Sequence, residues 1–320
     1  MSMIVLEGLL HQEERFYNSN KHDYFNHDDN YLHGVEFSWR SKMCEWSYLV
    51  VDRFDYPRSV VSVAFDYIDR YLSKRSKKTK ERNVVMDKYK FQLLAVTSLH
   101  VAMKLHRFHK CKITMNEFVI LSRGIFTKKD IVKMEYELLK TLQWHMNPPT
   151  SSLYIYHILK YLHQRYHDGY EYVFGRFIQT KLIPFLTWNE IFERANYISE
   201  LAVAYHEISL TNSSYCIALA SISIAFDDSL KDDVYVQIKQ DIMNHIFEIL
   251  SLPLDDIKKI HVVINQMQYL FLPTLLEHNN FQSCQSHSRK RMNSPSSLLD
   301  AHLNEYPISC CDKRFKRSTF

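Results

Sequence analysis

From Val35 onward, apolar residues recur three and four positions apart, a spacing that lines one face of an α-helix. The pattern predicts a first helix from about Ser38 to Arg53. After "DYPR", a second predicted helix ends near Ser73, its apolar face formed by Val61, Ala64, Phe65, Ile68 and Leu72. A lysine-rich loop is expected next. Asp87 is placed to cap a long third helix, on which Phe91, Leu94, Ala95, Ser98, Val101, Ala102 and Leu105 form one broad stripe. Thr114 with Glu117, and Thr127 with Asp130, have the spacing of N-terminal capping boxes and place two further helices, the second ending near Trp144. Pro148 and Pro149 cannot continue that helix, and Thr150 is placed to cap the next one. Helical segments follow near 151–166, 169–186, 190–210, 213–228, 232–250 and 254–271. Before Val35 the pattern is polar and aperiodic, with room for one short helix. After about Leu275 the period is lost again.

The elements therefore predict an all-α protein with a flexible arm at 1–35, a helical domain at 36–149, a second at 150–272 and a disordered tail at 273–320. Ala95, Ser98 and Ala102 in the third helix recur as Ala218, Ser221 and Ala225 in "YCIALASISIAF", at the same spacing. Both helices are apolar on nearly every side, as a central helix wrapped by others must be. A repeat of two five-helix units follows from this correspondence. Composition agrees: five glycines and eight prolines in 320 residues leave little material for hairpins. No apolar run reaches the roughly 20 residues that span a bilayer, so neither a membrane segment nor a signal peptide is expected.

Charge and chemistry narrow the function. The formal charge of +4 is spread over 40 basic and 36 acidic residues, without the basic stripe of a nucleic-acid binder. The basic runs are local: "KRSKKTKER" at 74–82, "HSRKR" at 287–291 and "KRFKR" at 313–317. Six unpaired cysteines read as reduced thiols. No glycine-rich phosphate cradle occurs, and neither His106 with His109 nor His22 with His27 and His33 has diagnostic ligand spacing, so no metal and no cofactor is expected. Asp66 and Asp69 in "DYID" faintly echo the aspartate-rich magnesium sites of helical isoprenoid synthases, but no second aspartate-rich helix answers them. That leaves pairing as the reason for Asp69. A carboxylate at the margin of a buried face needs a cation, and Arg40 on the preceding helix is the natural partner.

"WRSKMCEW" at 39–46, "VSVAFDYIDRYLS" at 61–73, "YKFQLLAVTSLHVAMKLH" at 89–106 and "DIVKMEYELLKTLQWHMNPPTS" at 130–151 resemble, in order and spacing, a cyclin box. The likeness is strong over residues 35–150 and weaker to about 271. Its characteristic positions are matched by Arg40, Asp69, Leu93, Lys104 and Glu135. The wording "KMCEW", "LSRG" and "NPPTS" looks closest to the expanded cyclins of diatoms, with some likeness to G1-type cyclins.

The resemblance implies a structural ion pair between Arg40 and Asp69, with Leu93 in the box core. It also implies a non-catalytic regulatory subunit that binds the C-helix of a cyclin-dependent kinase and activates it in cell-cycle control, in the nucleus and cytoplasm. In the family the inward rotation of that helix joins the kinase's glutamate to its phosphate-binding lysine. Lys104 and Glu135 would hydrogen-bond the kinase, with Phe65, Leu105, Phe108 and Ile131 as apolar contacts. Spacing alone leaves open that Lys104 and Glu135 pair with each other or with solvent. Kinase substrates or inhibitors are further expected partners. The positions that dock RxL motifs in many cyclins correspond to Trp39, Lys42, Met43, Trp46 and Gln92, and Lys42 sets a positive charge where the family has an apolar residue. The alternative is a transcription-type cyclin, or a cyclin-fold scaffold that activates no kinase.

Overall fold

The computed structural model describes residues 2–17, 32–33, 35–78, 84–106, 113–166, 171–173, 176–178, 185–229 and 233–282. Helix α1 (Ser2–Phe16) precedes a first group of α2 (Phe37–Arg53), α3 (Ser59–Lys78), α4 (Lys88–Leu105), α5 (Met115–Leu121) and α6 (Lys128–Thr141). A second group follows with α7 (Ser151–Tyr166), α8 (Phe185–Ala204), the single turn α9 (His206–Ser209), α10 (Ser214–Ser229), α11 (Asp233–Ile249) and α12 (Leu254–Gln282). Strand among the described residues is confined to β1 (Leu32–His33) parallel to β2 (Val84–Val85), and to β3 (Glu171–Val173) antiparallel to β4 (Arg176–Ile178).

The helix starts follow the predicted chemistry. The Asp87 carboxylate accepts from the Lys90 N–H at 2.8 Å, and both capping boxes form, Thr114 with Glu117 and Thr127 with Asp130. Thr150 Oγ1 accepts from the Leu153 N–H at 3.3 Å at the start of α7. Three segments depart from the pattern. Helix α3 runs on to Lys78, through the first residues of the expected lysine-rich loop. A helix at 169–186 is replaced at 171–173 and 176–178 by the β3–β4 pair, in register at Tyr172 and Phe177. The cause is local, because the β-branched and aromatic residues there favour strand and outweigh a weak helical period. Helix α12 reaches Gln282, so the first part of the expected tail is helical.

Helix α4 is the hub of the first group, packed against α2, α3, α5 and α6, and α10 is the hub of the second, packed against α7, α8, α9, α11 and α12. The two matching triplets sit at these hubs. Ala95, Ser98 and Ala102, like Ala218, Ser221 and Ala225, are at most 1% exposed, so small side chains let the surrounding helices close in. Each hub is the centre of its own apolar core.

Helix α1 packs on α7 and belongs to the second core through Leu6. The buried Glu13 carboxylate accepts from the Ser214 N–H and so caps α10 from a distant helix. The Gln12 amide donates to the Asn147 carbonyl at 2.9 Å, and the Arg70 guanidinium stacks on Tyr17 at 4.8 Å. The short helix expected in the arm is thus a tie between the two groups.

Candidate functional site

Arg40 on α2 and Asp69 on α3 form a two-pronged pair, with Nη2 to Oδ2 at 3.1 Å and a second, shorter contact between Nη1 and Oδ1. Both side chains are buried, and the guanidinium lies 5.0 Å from the Phe65 ring centroid. Arg40 Nη2 also donates to the Val203 carbonyl at 3.0 Å and to Ser209 Oγ at 2.9 Å. The pair therefore fixes α2 against α3 and joins the first group to α8 and α9 of the second. Asp66 takes a different cation: Arg70 Nε donates to it at 2.6 Å, four residues on, and Arg70 Nη2 reaches the His145 carbonyl at 2.9 Å. Each aspartate of "DYID" thus faces its own arginine.

Lys104, in the last turn of α4, donates to Glu135 Oε1 on α6 at 2.8 Å. The lysine side chain is 47% exposed and the carboxylate 15%, so the pair sits at the surface with its lysine end open to solvent. His100, one turn back on α4, lies beneath, with Nδ1 3.8 Å from Glu135 Oε2. Leu105, Val132 and Tyr136 beside this pair are 54%, 55% and 64% exposed. Residues 5–147, which hold all of these positions, match the family model for the N-terminal domain of cyclins. This stretch is a cyclin N-terminal domain.

The curated cyclin relatives of the chain cover part of it. It is 28% identical over 126 residues to Cyclin-A1-4 of Oryza sativa subsp. japonica, across 39% of this chain and 32% of that one. It is 30% identical over 129 residues to G1/S-specific cyclin-E1 of Gallus gallus, across 40% and 29%. The chain spans about a third of the length of these relatives. B-type and D-type cyclins match as well, so the comparisons single out no G1 type. In fold the chain is similar to a viral cyclin from herpesvirus saimiri, with a TM-score of 0.54 and 17% identity over 83% of this chain and 99% of that one. That span exceeds either helical group, so the cyclin fold extends into the second.

The cyclin box positions sort by burial. Leu93 is 8% exposed and belongs to the first core. Phe65 and Ile131 are 2% and 0% exposed, which corrects their expected role as kinase contacts. Phe65 is held under the Arg40 guanidinium, and Ile131 faces inward from the first turn of α6, so neither offers surface to a partner. Phe108 lies outside the described residues. On α2, Trp39 and Trp46 are half-buried, Trp39 lying tilted against Phe91 at 6.2 Å, and Gln92 on α4 is half-buried too. Met43, 9% exposed, is a core residue, so it leaves the expected docking set, while Lys42 is exposed.

Sequence reasoning passed over Trp144. It is 71% exposed, and it and Gln143 both hold left-handed backbone, φ 60 and 53. A large indole held out on sparsely populated backbone was not legible from period alone. The Asp66 and Arg70 pair was missed as well, although its four-residue spacing is the signal that finds it. Cys44 has an inert thiol, pushed up to about 12 by burial.

Proposed function

We propose that this protein is a non-catalytic regulatory subunit that binds the C-helix of a cyclin-dependent kinase and activates it in cell-cycle control. The observation that carries this reading is the Lys104 and Glu135 pair, set at the surface among exposed Leu105, Val132 and Tyr136. A charged pair with an open lysine gives hydrogen-bonding direction, and the apolar side chains around it give area to bury.

The test is co-purification from the native cell, scored for a kinase and for phosphorylation of a histone-type substrate. The wild-type chain is expected to recover an active kinase. The Lys104→Ala, Glu135→Ala double variant is expected to lose at least tenfold of that activity while keeping wild-type helicity by circular dichroism. Unchanged activation would remove the two residues from the interface, and binding without activation would turn the reading to a scaffold.

We further propose that the protein works in the nucleus and cytoplasm, with the basic runs at 287–291 and 313–317, outside the described residues, as import signals. Deleting the chain after Gln282 is expected to abolish nuclear accumulation of a fluorescent fusion. Intact accumulation rejects the assignment.

A further inference from the structure

The second helical group carries a groove that the kinase reading does not use. It lies between α7 and α8, has a cavity volume of about 260 Å³, and is walled by Tyr156, Trp188 and Phe192 over Leu159. The walls pack against one another and the core. Tyr156 meets Phe192 at 6.4 Å and 73°, while Trp188 is 8% exposed and anchored edge-on against the core residue Phe226 at 6.2 Å. Yet Tyr156 is 45% exposed, so an aromatic surface that packing has already oriented stays open to solvent. Preorganised aromatic walls bind with little loss of side-chain freedom.

The volume falls just below the range of about 300–1,000 Å³ typical of small-molecule pockets, which suits one bulky side chain of a peptide better than a free metabolite. Charge selects the rest of the occupant. Two basic side chains line the groove: the His163 ring stands edge-on to Trp188 at 6.2 Å, and the Lys160 ammonium lies 5.3 Å from the Tyr156 ring centroid and 3.3 Å from its hydroxyl, with no carboxylate partner among the described residues. On the α8 side the groove is lined by Asn189, and neither Glu190 nor Glu193 faces it.

We propose that this groove docks a short acidic peptide segment of a partner protein, inserting one aromatic side chain between Tyr156, Trp188 and Phe192 and setting a carboxylate on Lys160. The site is on the opposite helical group from Lys104 and Glu135, so it stands or falls independently of kinase binding.

The probe is a fluorescein-labelled pentapeptide with a central phenylalanine flanked on each side by two acidic residues, titrated with the full chain and read by fluorescence anisotropy. Control peptides carry alanine at the centre or lysines at the flanks. Saturable binding of the acidic aromatic peptide is expected, at least tenfold tighter than either control. Tyr156→Ala should weaken it at least fivefold. Lys160→Glu, a surface change that leaves the core intact, should reverse the preference toward the lysine-flanked peptide. No saturable binding up to millimolar peptide overturns the proposal, as does binding indifferent to flanking charge or to Lys160→Glu. Circular dichroism of each variant separates loss of the groove from loss of the fold.

Discussion

At the scale of single residues, the buried arginine pair is the most consequential feature. Removing Asp69 would leave the Arg40 charge enclosed and part-satisfied, a loss of about 3–5 kcal/mol by the usual cost of breaking a buried pair. Asp69→Ala is therefore expected to lower the unfolding free energy from urea denaturation by that amount, and a change under about 1 kcal/mol would show the pair to be dispensable. The pairing of Arg40 with Asp69 was legible in the sequence, but its reach to Val203 and Ser209 was not, since those partners lie 163 and 169 residues away. Glu200 on α8 poses the opposite case. Arg58 Nε donates to it at 2.7 Å and also holds Asp52, yet burial outweighs that cation and raises the Glu200 pKa from 4.5 to about 7. The folded chain then keeps this proton to higher pH than the unfolded chain does. The stability linked to it is fully present below about pH 4.5 and is lost as pH rises through about 7, on the order of 3 kcal/mol. Urea unfolding from pH 5 to 8 should show wild type falling relative to Glu200→Gln, and parallel curves would contradict the assignment.

At the scale of elements, local chemistry set the helix starts and tertiary context set several of the ends. Asp87, Thr114, Thr127 and Thr150 were readable because a capping side chain acts within three residues. Thr127→Ala should cost about 1 kcal/mol and loosen the first turn of α6, measurable as faster amide exchange near Asp130, and unchanged exchange would contradict it. The extension of α3 to Lys78 and the strand pair at 171–173 and 176–178 were not readable, because weak periods are decided by neighbours and by strand-forming residue types. Helix α1 shows the same limit. Its period is short, but Glu13 gains a defined task only when α10 arrives 201 residues later. Glu13→Ala leaves the part-buried Ser214 N–H without its acceptor and should lower stability by about 1–3 kcal/mol, and an unchanged melting temperature would deny α1 its role as a tie.

At the scale of the whole molecule, two helical groups with small-residue hubs are held by a few polar ties: Arg40 to α8 and α9, Arg58 to Glu200, and α1 to the linker and α10. The repeat was legible from Ala95, Ser98 and Ala102 against Ala218, Ser221 and Ala225, because a hub helix must be small and apolar on all sides. Which side chains remain outside was less legible: Phe65 and Ile131 turned inward, while Tyr136 and Trp144 turned out. We propose that a kinase binds the outward set on α4 and α6, centred on Lys104 and Glu135. Calorimetric titration of the purified chain with a purified cyclin-dependent kinase tests this most directly, comparing wild type with the Lys104→Ala, Glu135→Ala double variant. The prediction is saturable wild-type binding weakened at least tenfold in a variant of unchanged helicity. Equal affinity of the two proteins would contradict it.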